Sequence, residues 1–109
     1  MNVSISHGAA GPTYLQAGTD AAAGLAAAKL VDANGRRIKA ALIECDQGIG
    51  YGIRYAFGGT SPTQGSPSTM HYLAPGSTIV VEGYATLASL LWINETNAEN
   101  AKLCITPYY

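Results

Sequence analysis

Ile53-Arg54-Tyr55-Ala56-Phe57-Gly58-Gly59-Thr60-Ser61-Pro62-Thr63 decides how this chain is read. The first five residues alternate: Ile53, Tyr55 and Phe57 fall on one face, Arg54 and Ala56 on the other. A period of two is the signature of a half-buried strand. Gly58-Gly59 then permits a reversal, and Pro62 cannot donate to a continuing ladder. The stretch therefore predicts a strand running into a turn, within an all-β domain.

Working outward, the same grammar repeats. Ile38 to Cys45 predicts a strand that is apolar on both faces, and Tyr51 to Phe57 the strand of the opening stretch. Gln47-Gly48-Ile49-Gly50 is the turn between them, and Gly58 to Ser68 is a loop of turn formers. Tyr72-Leu73 leads into Ala74-Pro75-Gly76-Ser77, where proline before glycine fits a type II turn. Thr78 to Glu82 is short and β-branched. Thr86 to Ile93 has the length of a helix, but Trp92, Ile93 and the β flanks predict strand. Asn94 to Asn100 is a polar turn, and Ala101 to Thr106 is the last strand.

The start of the chain is different. Residues 1–24 are rich in Gly and Ala, and Pro12 with scattered glycines disfavours a helix. Small side chains cannot build a core, so the segment is expected as an extended arm lying on a neighbouring subunit, with Thr13 to Gln16 as a short strand within it. Residues 25–109 are expected as the domain. Leu25 to Val31 is predicted as a strand because Asn34-Gly35, a hairpin signal, follows at once. Six or seven short strands, spaced by roughly 8–15 residues and separated by turn formers, indicate a β-sandwich or small barrel.

Composition narrows the function. Only 12% of the 109 residues are charged, against about 25% in an average soluble protein, while 48% are apolar. A small domain with so few charges is expected to have part of its surface covered by other protein. The net charge of -1 argues against nucleic acid. Arg36, Arg37 and Lys39 form the single basic cluster and read as a solvated hairpin shoulder. No apolar run approaches the ~20 residues of a membrane span, and the first residues lack the features of a signal peptide.

Chemistry is sparse. Cys45 and Cys104 form no CxxC and have no histidine at ligand spacing, so two free, buried thiols are expected. His7 and His71 have no companions for a metal site. There is no GxSxG elbow and no phosphate-binding loop. Glu44 and Glu82 are the one conceivable carboxylate pair. Asn2-Val3-Ser4 and Asn94-Glu95-Thr96 match the glycosylation sequon by chance. No enzyme, no cofactor and no metal are expected. The seven tyrosines are the more telling residues, because tyrosine gives contact area at low entropic cost. Tyr14, Leu15, Tyr72, Tyr84, Tyr108 and Tyr109 are the expected interface residues.

The opening stretch, with Gly65, Leu73-Ala74-Pro75-Gly76-Ser77 and the ending Leu103-Cys104-Ile105-Thr106-Pro107-Tyr108-Tyr109, resembles a recurrent pattern in small virion proteins of tailed bacteriophages. There an IRYxxDGTxPT strand and loop is followed by LxxGxxxxLxG and an ending LxVTYY. The likeness covers residues 38–109 and departs at Gly58, where the pattern has Asp, and at Pro107. The same motif is similar to immunoglobulin-like domains appended to chitobiase-type enzymes. The resemblance implies an immunoglobulin-like β-sandwich in a virion assembled in the host cytoplasm. Its expected task is capsid decoration, with the major capsid protein and copies of itself as partners. A neck or tail accessory is one alternative. A carbohydrate-binding or spacer module, gripping a host-surface glycan through tyrosines or Trp92, is the other.

Overall fold

The computed structural model describes residues 8–65 and 70–109. Their strands are β1 (Tyr14–Ala17), β2 (Ala40–Cys45), β3 (Ile53–Ala56), β4 (His71–Leu73), β5 (Thr78–Glu82), β6 (Leu91–Asn94) and β7 (Lys102–Tyr108). One short helix, α1 (Tyr84–Ser89), lies between β5 and β6. A four-stranded sheet has the order β1-β7-β2-β5 and a three-stranded sheet the order β4-β3-β6. Every strand pairing is antiparallel. The expected all-β sandwich is what the chain forms.

The core lies between the sheets. Ile43, Cys45, Leu103 and Ile105 come from the four-stranded sheet, and Ile53, Leu73 and Trp92 from the other; Leu87 and Leu90 close one end. All are fully or almost fully buried, each large side chain contributing about 1.5–3 kcal/mol.

The opening stretch forms β3 with Ile53 and Tyr55 toward the core. Phe57 lies beyond the strand end, edge-on to Tyr55 at 5.7 Å. Gly58 and Gly59 both take positive φ, the conformation their turn needs. The turn at Pro75-Gly76 forms as expected: Gly76 has φ 82° and the Ser77 amide donates to the Ala74 carbonyl at 3.0 Å.

Three expectations are corrected. Leu25 to Val31 is not a strand. Ala27–Lys29 is a single turn of 3-10 helix, and Val31 forms only an isolated bridge with Arg37 beside the Asn34-Gly35 turn. Four small or helix-forming residues between Leu25 and Leu30 give a strand nothing to bury, so those two leucines pack individually against the core. Thr86 to Ile93 is divided between the end of α1 and β6. Leu87 and Leu90 stand three apart, a helical spacing, and both are buried.

Residues 8–24 do not stand off as an arm; they are bonded into this chain's own sheets. Strand β1 pairs with β7. The Ala23 amide donates to Trp92 and the Trp92 amide to Ala23, at 2.9 and 2.7 Å, so this segment closes the edge of β6. Tyr109 and Ala9 exchange two bonds of 3.0 Å. Small side chains fit here because the backbone itself does the pairing. Strand β7 continues through Pro107 to Tyr108, beyond the expected end at Thr106. The β1–β7 register shifts by one residue there, between the pair Tyr14–Ile105 and the bridge Ala10–Tyr108. That bulge lies where Pro107 has no N–H to give.

Candidate functional site

The middle of the outward face of the four-stranded sheet carries little charge, with Lys102 and Glu82 kept to its margins. Along β7, Leu103, Ile105 and Pro107 are buried, so Lys102, Cys104, Thr106 and Tyr108 point outward. The registers extend each row across the sheet. Leu15, Cys104, Glu44 and Thr78 stand side by side, and the next row runs Thr106, Leu42, Val80. Leu15 is 64% exposed and Val80 42%. Thr13 and Thr106 satisfy each other through their hydroxyls at 2.6 Å. Glu44 is the one charge within these two rows.

A second feature lies at the far end of β5. A groove of about 780 Å³ is lined by Arg36, Arg37, Lys39, Glu82 and Tyr84, with Ile38 and Gly83 in its wall. Three of the chain's six Lys and Arg residues line it with Glu82, and Asp32 beside it pairs with Arg36. The β2–β5 register sets Glu82 opposite Ala40, next to Lys39. The Arg37 guanidinium stacks over the Tyr84 ring at 4.6 Å. Arg36 is bound to Asp32 at 2.8 Å. Burial pushes the Asp32 carboxyl up, but the amide and guanidinium of Arg36 and the amide of Asn34 outweigh it and leave it below the usual range. The basic cluster expected as a solvated shoulder is therefore one wall of a concavity. Only the strand pairing that brings Glu82-Gly83-Tyr84 alongside makes it one.

The expected interface residues divide. Leu15 and Tyr72 are exposed, and Tyr108 lies half-buried on the outer face. Tyr84 serves the groove. Tyr14 and Tyr109 instead turn inward and pack on the core. The Lys29 ammonium stands 4.4 Å over the Tyr14 ring, and the Tyr109 hydroxyl donates to the Lys29 carbonyl at 2.7 Å. Burial, then the neighbouring Tyr109, pushes the Tyr14 phenol up to about 12. Arg54, the charged residue of the opening motif, is held rather than offered. Glu95 clamps it with two hydrogen bonds, and the Tyr72 ring lies 4.7 Å beneath it. The Glu95 bonds raise its pKa further.

Trp92 is fully buried and gives no platform for a sugar. The two glutamates do not converge: Glu44 pairs with Thr78 and Ala40 with Glu82, so they sit at opposite ends of the β2–β5 pair. His71 is exposed and stacks on Tyr55 at 5.1 Å. His7 and Asn2 lie outside the described residues. Asn94 is fully buried, which removes its sequon from any glycosylating enzyme in the folded state. Among the described residues no group of three or more His, Cys, Asp or Glu sits together to hold a metal, and no helix is long and apolar enough to cross a membrane.

Both cysteines are free, but only Cys45 is buried. Cys45 lies opposite Leu103 in the core, whereas Glu44 lies opposite Cys104, so the two thiols face opposite sides of the sheet. Burial, then the charges of Asp46 and Glu44, pushes the Cys45 thiol from the ordinary 9.0 up to about 11. An acid whose folded pKa is raised contributes stability in full below its unfolded pKa and loses it as pH rises through the folded one. The urea midpoint is therefore expected to be level from neutral pH up to about pH 9. It then falls, first through Cys45 up to about 11 and then through Tyr14 up to about 12. Cys45→Ala is expected to postpone the fall to the tyrosine range. A midpoint that stays level across this window would contradict both assignments.

No protein-family model, no curated protein and no solved structure matches this chain.

Proposed function

We propose that this chain is a structural protein of a tailed-phage virion, an immunoglobulin-like sandwich that decorates the capsid and strengthens the shell. The observation that carries the reading is the outward face of the four-stranded sheet. Its two central rows hold Leu15, Cys104, Thr78, Thr106, Leu42 and Val80 around a single carboxylate. A sheet face that meets only water alternates buried apolar with exposed polar residues. This one carries apolar residues on both sides, as a face covered by the major capsid protein or a further copy would. Binding the assembled shell in preference to loose subunits stabilises it by mass action. No catalytic group needs to be invoked.

The test is retention on the particle. Purified chain added to undecorated capsids is expected to co-sediment with them. Leu15→Glu is expected to lose that retention while unfolding at nearly the wild-type urea midpoint, since an exposed substitution shifts stability by about 0.5 kcal/mol or less. Equal retention of the variant, or none of the wild type, would count against the reading.

One observation favours a second reading, a glycan-binding module. Phe57, His71 and Tyr55 form an aromatic cluster at one end of the three-stranded sheet, with Phe57 and His71 exposed. Glycan binding that Phe57→Ala abolishes and Leu15→Glu leaves intact would select it.

A further inference from the structure

Strand β5 is an edge of the four-stranded sheet. The backbone bonds at its two ends show which way each residue faces. The Gly83 amide donates to the Lys39 carbonyl at 2.8 Å, and the Cys45 amide to the Ser77 carbonyl at 2.9 Å. Bonded and non-bonded pairs alternate in an antiparallel ladder. With Ala41 opposite Val81 and Ile43 opposite Ile79, those pairs are the bonded ones. Thr78, Val80 and Glu82 therefore turn their amide and carbonyl groups away from β2, and none of the three has a backbone partner outside the ladder among the described residues.

Edges left open in this way are ordinarily guarded by lysine, proline or a bulge. The sequence Thr-Ile-Val-Val-Glu has none of these and is strongly β-forming. Elsewhere the chain covers an exposed edge with its own backbone, as Ala23 does for β6. At the C-terminal end of β5 the strand runs straight into the basic groove of Arg37, Lys39 and Tyr84. Its exposed Val80 also continues the apolar rows of the outer face.

We infer that β5 accepts an extended segment of a partner polypeptide as a fifth strand, with a carboxylate side chain of that segment seated in the Arg37–Lys39 groove. Strand addition takes its strength from main-chain bonds and its selectivity from side-chain pockets. Here the free groups of Thr78, Val80 and Glu82 supply the first. The excess of cations over the lone Glu82 supplies the second, and selects an acidic segment over a neutral or basic one. The inference deepens the capsid reading, on which it rests only for the partner's identity as shell protein.

The probe is a blocked peptide, acetyl-Ser-Thr-Val-Thr-Val-Asp-Glu-amide, titrated against the full chain by calorimetry, with amide hydrogen exchange followed by NMR. Binding that weakens with salt and slows exchange at Thr78, Val80 and Glu82 is expected. Val80→Pro removes a donor that β2 does not use, so it leaves the ladder intact and is expected to weaken binding at least about tenfold. Arg37→Glu with Lys39→Glu, which leaves the backbone untouched, is expected to do the same.

Absence of binding would overturn the inference, as would a peptide with Lys-Lys in place of Asp-Glu binding equally. Heparin binding that depends on the two cations but not on Val80→Pro would overturn it in favour of an anionic glycan. On particles, retention of both variants would sink the inference while the capsid reading stands. Peptide binding as described by a chain that never joins a capsid would support the inference and sink that reading.

Discussion

A chain lacking residues 1–24 is expected to lose its cooperative fold. Those residues supply β1, and with it the pairs Tyr14–Ile105 and Gln16–Leu103 that cover one side of the central strand β7. They supply the Ala23 bridge that closes the β6 edge opposite Trp92. They also supply Gly18, Thr19 and Asp20, bonded to Ala101, Asn94 and Ala98. A domain of this size has a total stability of about 5–15 kcal/mol, and each backbone bond contributes about 1 kcal/mol net. Removing one strand, the closure of the β6 edge, the bonds of Gly18, Thr19 and Asp20 and the packing of Tyr14 consumes most of that margin. Circular dichroism and urea titration are the measurements. A truncated chain with native β content and an unchanged midpoint would restore the idea of a detachable arm.

Asn94→Leu is expected to cost about 3 kcal/mol or more, the largest effect of any single substitution proposed for this chain. Among the described residues Asn94 is the one fully buried polar side chain. Its Nδ2 donates to Asp20 Oδ1 at 3.1 Å and to Asn100 Oδ1 at 2.7 Å, and its Oδ1 accepts from the buried Ala101 amide at 3.1 Å. Leucine would strand that buried amide and break both bonds to the exposed Asp20 and Asn100, of which Asp20 keeps its bonds from Gln64 and Ala98. The site is closely packed as well: a Cβ at Gly18 would strike Asn94 Oδ1.

The Asn94 bond is also the largest reason the Asp20 carboxyl is held below its usual range, with the Ala98 amide next. A depressed carboxylate contributes stability above its unfolded pKa of 3.8 and loses it as pH falls through the lower folded value. The Asn94→Leu protein is therefore expected to show a weaker loss of stability in acid than the wild type. Asn94→Asp would instead set two carboxylates face to face and be less destabilised in acid than at neutral pH. Urea midpoints for the three proteins at pH 3 and pH 7 decide the matter. A variant as stable as the wild type would show that the network is dispensable.

How far the fold was readable follows from these residues. Thr78 to Glu82 forms β5 with the expected ends, because β-branched residues between Ser77 and Gly83 leave the backbone no other choice. Strand β2 lost only its first two expected residues. The Ala/Gly segment hid its role because its contribution is made by backbone, which leaves no periodic signal. Leu87 and Leu90 carried a helical spacing that the β-rich flanks outweighed. Asn94 reads as the start of a polar turn but ends β6 fully buried, since nothing local reveals that Asp20 and Asn100 converge on it. The groove was invisible for the same reason: Arg37 and Lys39 meet Tyr84 only through the pairing of β2 with β5. Of the expected interface residues, Leu15 and Tyr72 are exposed. Tyr14 and Tyr109 went inward because a tyrosine at a strand edge can bury its ring as readily as expose it.

An image reconstruction of tailed-phage capsids mixed with the purified chain tests the proposed function most directly. The account predicts density on the outside of the capsid at its symmetry axes, with Leu15, Leu42 and Val80 of the four-stranded sheet turned toward a neighbouring subunit. A particle without such density, or one in which that sheet face looks out into solvent, would contradict it.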